Sequence, residues 1–307
     1  MGTALCLLSA VGFGVMAVFG KLSYDAGVSV ETVLLARFGI AGAALVVVAV
    51  ARGAFRGLTG RTVGVGLAMG AIGYALQAGL YFSALTRIDA SLVALIFYVY
   101  PVLVMAGAIA LRRERASVRR CVALVIALAG IALVLAGAGS GQIDLLGALL
   151  ALGAALTYTV YILVGDRLTA DVPALPLSAL VCCGAFGTFL VSGTARGTID
   201  LGFAPVGWLW LAAIALISTV AGVLCFFAGL ARVGPSKAAI LSILEPVVTV
   251  GSAAAVFGES MGVAQWCGGL LVLSAVVIVQ WRGRTRSRMS VLSPPHDAPI
   301  PVPAVRR

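Results

Sequence analysis

The sequence predicts an all-α integral membrane protein with ten transmembrane helices arranged as two inverted five-helix repeats. Three observations predict it. Of 307 residues, 62% are hydrophobic and 10% charged, against about 25% charged residues in a soluble domain. Charge-poor runs of about 20 residues, the length that crosses a bilayer, recur along the whole chain. Two segments 145 residues apart align without gaps; each half then holds five spans, and an odd number turns the second half upside down in the membrane. Secreted, cytosolic and nucleic-acid-binding roles are excluded by composition.

The first span, Thr3 to Leu22, starts at once without the basic region of a cleaved signal peptide and is read as retained. It ends at Lys21. The second, Thr32 to Ala51, encloses Arg37 and stops at Arg52. The third, Thr62 to Leu85, lies between Arg61 and Arg87, and its Gly66, Gly70 and Gly73 favour close helix contact. Ala90 to Leu111 contains Tyr100 and Pro101 and ends on Arg112 and Arg113. The fifth span, Cys121 to Gly137, follows Arg119 and Arg120. The second half repeats this rhythm with Leu145 to Gly165, Leu175 to Ser192, Val206 to Leu230, Ser236 to Phe257 and Val263 to Trp281. Trp208, Trp210 and Trp281 near span ends read as interfacial anchors. The domains are therefore residues 1–138, residues 145–281, and a basic, Pro-rich tail, 282–307, expected to be disordered and cytoplasmic.

Lys and Arg accumulate on the cytoplasmic side of membrane proteins. With the N-terminus inside, 17 of the 21 bases fall in cytoplasmic loops or the tail, Lys21, Arg87 and Arg196 fall outside, and Arg37 lies within a span. Both termini are expected in the cytoplasm of an inner-membrane, multi-pass protein. The net charge of +10 is thus a topology signal and implies no nucleic-acid partner. Six cysteines without CxxC spacing and one histidine, His296 in the tail, support neither a metal site nor a catalytic triad. Gly137 to Gln142 lacks the GK[ST] of a phosphate-binding loop. No cofactor is implied, and the chain is not expected to be an enzyme.

Residues 81–114 and 226–259 share ten of 34 positions, among them Arg87/Arg232, Ser91/Ser236, Pro101/Pro246 and Glu114/Glu259. Inverted repeats are a recurring architecture of secondary transporters, with the substrate site near the midplane between halves. The stretch from Gly229 to Ser260, GLARVGPSKAAILSILEPVVTVGSAAAVFGES, resembles the second-repeat signature of EamA-type transporters of the drug/metabolite transporter superfamily. Leu85 to Glu114 resembles its weaker partner, and Arg37 in LLARFGIAGAALV matches an arginine common in the family's second span. The resemblance covers about residues 1–281. It implies a ten-helix inner-membrane exporter of small metabolites or drugs that works by alternating access, with a lipid-headgroup flippase as the alternative in the same superfamily. A membrane-embedded lipid-modifying enzyme is a weaker alternative. Two positions break the symmetry: Tyr100 stands opposite Glu245, and Cys182 opposite Arg37.

Arg37 and Glu245 are the ionisable residues deep within the spans, each costing about 2.5 to 3.5 kcal/mol to insert centrally. At 1.5 Å per residue, Glu245 lies ~14 Å deep and Arg37 ~8 Å, so the two are expected within reach of each other, either as a coupling or gating element or as a structural pair. Tyr100, ~15 Å deep, is expected to meet Glu245 at the midplane, beside helices kinked at Pro101 and Pro246. Tyr74, Gln77 and Tyr81 share one helical stripe, as do Thr157 and Tyr161 beside Tyr158. Such stripes either line a cavity suited to amphipathic or aromatic solutes, including amino acids, or serve plain interhelical hydrogen bonding. The expected partners are a small-molecule substrate, membrane lipids, and a proton as candidate coupling ion.

Overall fold

A computed structural model of the chain describes residues 1–112, 117–136, 144–168, 172–233, 238 and 241–280, and every regular element among them is helical. The tail from Arg282, Trp281, the Gly137 to Gln142 segment, and Glu114 and Ser236 of the aligned repeat lie outside the described residues.

The first half comprises α1 (Gly2–Gly14), α2 (Met16–Asp25), α3 (Val30–Ala51), α4 (Gly60–Ala68), a π-helical segment π1 (Met69–Tyr74), α5 (Ala75–Leu85), α6 (Ala90–Phe97), α7 (Tyr100–Ala110) and α8 (Val118–Ala136). The second comprises α9 (Leu145–Leu168), α10 (Ala174–Arg196), α11 (Val206–Ala213), π2 (Ile214–Ala221), α12 (Gly222–Val233), α13 (Leu244–Phe257) and α14 (Val263–Gln280). Among the described residues seven segments are long and apolar enough to cross a membrane, several of them built from consecutive helices: Gly2–Asp25, Val30–Ala51, Gly60–Leu85, Ala90–Ala110, Leu145–Gly165, Ala174–Arg196 and Val206–Val233. Three shorter apolar stretches, Cys121–Val134, Leu244–Phe257 and Val263–Ile278, stand where the fifth, ninth and tenth spans are expected.

The outward faces carry Leu8, Val47, Val50, Ile72, Val125, Leu149, Val160, Val191, Leu209 and Leu270, all exposed. In water such a surface would be unfavourable; against lipid tails it is the expected exterior. The interior is filled with small residues, including Ala41, Ala49, Ala84, Ala90, Ala151, Ala154, Ala179 and Ala253, each fully buried. Small side chains let backbones approach, which drives helix association where lipid is as apolar as the helix itself.

Interruptions fall where the chain chemistry puts them. Pro101 has no N–H for the Phe97 carbonyl and Pro246 none for that of Ser242, and each ring crowds the preceding turn. Both helices accordingly break just upstream, at Tyr98–Val99 and at Ser242–Ile243. The π segments interrupt the third and eighth spans and begin 145 residues apart, at Met69 and Ile214.

The other matched elements also begin between 143 and 147 residues apart: α1 with α9, α3 with α10, α4 with α11, α5 with α12, α7 with α13, and α8 with α14. Packing is exchanged between the halves in the same sense. Helix α1 packs on α12 and α13, while α9 packs on α5 and α7; α3 pairs with α10 and α8 with α14. The exchange reaches single residues. A Cβ on Gly2 would strike Arg232 and Val233, and a Cβ on Gly147 would strike Arg87 and Ile88, in each case at under 3 Å. Both glycines and both neighbour pairs are 145 apart.

Candidate functional site

Near the helix breaks, midway along the bundle, aromatic side chains form one connected chain of rings. Phe189 stacks on Phe38 at 5.8 Å, Phe38 meets Tyr74 at 5.6 Å, and Tyr74 meets Tyr161 at 5.6 Å. Tyr161 stacks on Tyr158, which meets Tyr100 at 4.8 Å and Phe97 at 5.6 Å. Phe97 then contacts Tyr81 at 5.2 Å. Edge-to-face and offset pairs of this kind contribute about 0.5 to 1.5 kcal/mol beyond their area, so the lining is stiff. The helical stripe of Tyr74 and Tyr81 and that of Tyr158 and Tyr161 belong to different spans and are joined here.

Glu245 opens the first turn of α13 beside Pro246. It lies within electrostatic range of Tyr74, Tyr81, Tyr98, Tyr100 and Tyr158, and among the described residues nothing donates to its carboxylate. Its backbone is held from the first span: Gly14 runs so close that a Cβ there would lie 2.8 Å from the Glu245 carbonyl, and Thr249 Oγ1 donates to the Gly14 carbonyl at 2.8 Å. Tyr98 donates its hydroxyl to the Ser242 carbonyl, the acceptor that Pro246 leaves free. A carbonyl so freed must find other partners, and it finds them in the Glu245 amide at 3.0 Å and in Tyr98 of the other half.

Arg37 is 3% exposed. Its Nε donates to Thr219 Oγ1 at 3.1 Å, Thr219 donates to the Ile214 carbonyl five residues back, within the π segment, and the guanidinium lies over the rings of Phe38 and Phe82 at 5.0 and 5.5 Å. The ion pair with Glu245 expected as one reading from depth is therefore not formed among the described residues: Arg37 is committed to a hydroxyl and two ring faces, which substitute for a carboxylate as partners. Gln77 is buried with its amide unbonded among the described residues. Thr157 is half-buried without a hydrogen bond among the described residues; its neighbour Thr159 is the buried hydroxyl, turned back onto the Ala155 carbonyl.

Sequence reasoning missed Phe38, Phe97, Tyr98 and Thr219 as members of this site. A usable signal existed for Thr219: it is the 145-residue mate of Tyr74, as Cys182 is of Arg37, and Cys182 lies within electrostatic range of Tyr74. Among the described residues no three His, Cys, Asp or Glu side chains converge as they would to hold a metal ion.

At the end of the bundle reached by α2, α5 and α13 stands a second polar group. Gly258, in the left-handed conformation at φ 66°, ends α13, and Glu259 follows. Its carboxylate accepts from Lys21 Nζ at 3.0 Å, from the Ala90 and Ser91 amides at 2.9 and 3.0 Å, and from Ser91 Oγ at 2.7 Å. Partial burial by itself would raise the Glu259 pKa, but the Ser91, Lys21 and Ala90 donors outweigh it and hold the carboxyl below its ordinary value. Nearby, Arg87 clamps Asp144 at 2.6 Å and lowers the Asp144 pKa.

Helices dressed in apolar side chains outside, with aromatic and polar groups gathered midway, define a multi-pass membrane protein. The chain belongs to the EamA-like transporter family, whose model matches residues 1–136 and again 145–281. It is 24% identical over 284 residues to the "Uncharacterized transporter YcbK" of Bacillus subtilis (strain 168), covering 88% of this chain and 90% of that protein. It is 31% identical over 166 residues to the "Uncharacterized transporter YwfM" of the same organism, covering 50% of this chain and 54% of that one. A solved crystal structure whose name states no function superposes on 91% of this chain and 96% of its own at a TM-score of 0.60 and 20% identity, a likeness of fold alone. The family implies a small-molecule substrate and a lipid surround.

Proposed function

We propose that the chain is a secondary active transporter that exports a small amphipathic or aromatic solute, such as an amino acid or a drug, across the inner membrane by alternating access. The two halves, 1–138 and 145–281, act as inverted five-helix repeats with both termini in the cytoplasm. The exchanged packing of Gly2 on Arg232 and Val233 and of Gly147 on Arg87 and Ile88 supports the repeat.

One observation carries the site assignment: a carboxylate without a donor among the described residues, Glu245, within electrostatic range of five tyrosines and beside two broken helices. An uncommitted carboxylate midway through a membrane protein costs too much to be ornamental. In this reading Tyr74, Tyr81, Tyr100, Tyr158 and Tyr161 hold the apolar body of the solute, Gln77 and Thr157 offer hydrogen bonds, and Glu245 exchanges a proton as the coupling step. Arg37 positions Phe38 and Thr219.

Reconstitution into vesicles with an imposed proton gradient, using a panel of amino acids, cationic drugs and lipids, tests this directly. Glu245→Gln should lower uphill transport about tenfold or more, given how strongly an intramembrane charge governs its surroundings, while leaving passive exchange. Normal uphill transport by Glu245→Gln with an unchanged pH profile would remove Glu245 from the coupling role.

A further inference from the structure

Asp89 occupies the N-cap of α6 with extended backbone angles, φ −58° and ψ 144°, yet its carboxylate caps nothing. Aspartate is among the best N-cap residues, because its oxygen can take an amide proton left free by the first helical turn. Here those protons go to Glu259, which comes from the opposite half of the chain. Lys21 holds Glu259 at 3.0 Å and stands 3.8 Å from Asp89, so one ammonium sits between two carboxylates. Their exposures differ sharply: the Glu259 side chain is 6% exposed and that of Asp89 56%. A cavity of about 210 Å³ lined in part by Lys21, Thr86, Arg87 and Asp89 gives the Asp89 side chain room to move.

Helix α6 itself is enclosed. Every residue from Ala90 to Ile96 is buried, whereas α7, the other half of the same span, buries Val102, Met105 and Ala108. It packs against α2, α5, α8, α9 and α13, so a solute can leave at this end after α6 and the Glu259 turn separate. Separation without a substitute would strand the Ala90 and Ser91 amides and the Lys21 ammonium together.

Building on the transport reading, we propose that Asp89 and Glu259 are alternative caps of α6, and that replacing Glu259 by Asp89 is the step that opens this end of the pathway. The helix terminus keeps a carboxylate in both states, and Lys21 keeps a partner in both. Closing therefore ties the two halves together through Glu259, and opening makes the cap local.

Pulsed electron resonance between spin labels at Thr86→Cys and Ser260→Cys, both exposed, reads the separation in liposomes once the six native cysteines are replaced by alanine. Glu259→Gln should shift the population toward the longer distance by about fivefold, the scale of a lost cap. Adding Asp89→Ala to that variant should return the population toward the short distance, because the open-state cap is then missing. Asp89→Ala alone, a substitution at an exposed side chain, should shrink the long-distance population of the otherwise unmodified chain. A double variant indistinguishable from Glu259→Gln, or an Asp89→Ala that enlarges the long-distance population, overturns the exchange. Solute uptake by the same liposomes is scored separately: the distance shifts without uptake would keep the exchange and remove the transport reading.

Discussion

Tyr98 shows how one hydroxyl can matter more than its neighbours of the same type. It donates to the Ser242 carbonyl, which Pro246 deprives of its usual amide and which otherwise receives the Glu245 amide through a tighter turn at 3.0 Å. Tyr100, two residues on, makes ring contacts alone among the described residues. Tyr98→Phe should therefore lower stability by about 1 kcal/mol, because a part-buried hydrogen bond between the halves is lost while the ring volume is kept. Tyr100→Phe should leave stability unchanged. Thermal unfolding of both variants in one detergent, followed by tryptophan fluorescence, checks the contrast; equal melting temperatures would mean that the Tyr98 bond holds nothing together.

Among the described elements, α6 takes its N-terminal cap from a distant residue. Its cap is an ionised carboxylate held below its ordinary pKa by Ser91, Lys21 and Ala90 donors, so the sign of the pH effect follows. The capped state gains stability from that shift at every pH above the ordinary carboxylate value, and loses it as pH falls through the lowered value. The charged groups facing Glu259 are Lys21 and, beyond it, Asp89, with Arg87 occupied by Asp144. Because the Glu259 carboxyl is held below the ordinary carboxylate value, the spin-label distance across this turn should stay constant from about pH 6 to about pH 9. A transition centred near neutrality would assign the latch to a group other than Glu259.

Over the whole molecule, two halves whose elements start 143 to 147 residues apart and whose contacts are exchanged should superpose after a rotation of about 180° about an axis in the membrane plane. A solved structure in which Pro101 and Pro246 fail to coincide after that rotation would separate the two breaks and dissolve the argument for a shared centre. The distribution of bases predicts that both termini face the cytoplasm. Single cysteines introduced in the 282–307 tail should resist an impermeant thiol reagent in intact cells, and ready labelling there would reverse the orientation of every span.

Much of this was written in the chain itself. Apolar runs, the 145-residue register and the two prolines are local or periodic features, because a bilayer forces each crossing segment to satisfy its own backbone and dress itself in apolar side chains. That is why the seven long apolar segments and the helix breaks at Pro101 and Pro246 are legible along the chain, and why Tyr74, Tyr100, Tyr158, Tyr161 and Glu245 stand out there as candidates. Partner choice could not. Depth along two helices placed Arg37 near Glu245, but packing decided that Arg37 meets Thr219 and the rings of Phe38 and Phe82, since depth carries no information about which face of a helix meets which neighbour. The capping of α6 by Glu259 rather than by Asp89 beside it is likewise a tertiary decision: residues 168 positions apart meet because the two halves interlock, and a donor at a helix end takes the carboxylate that the packed chain brings closest.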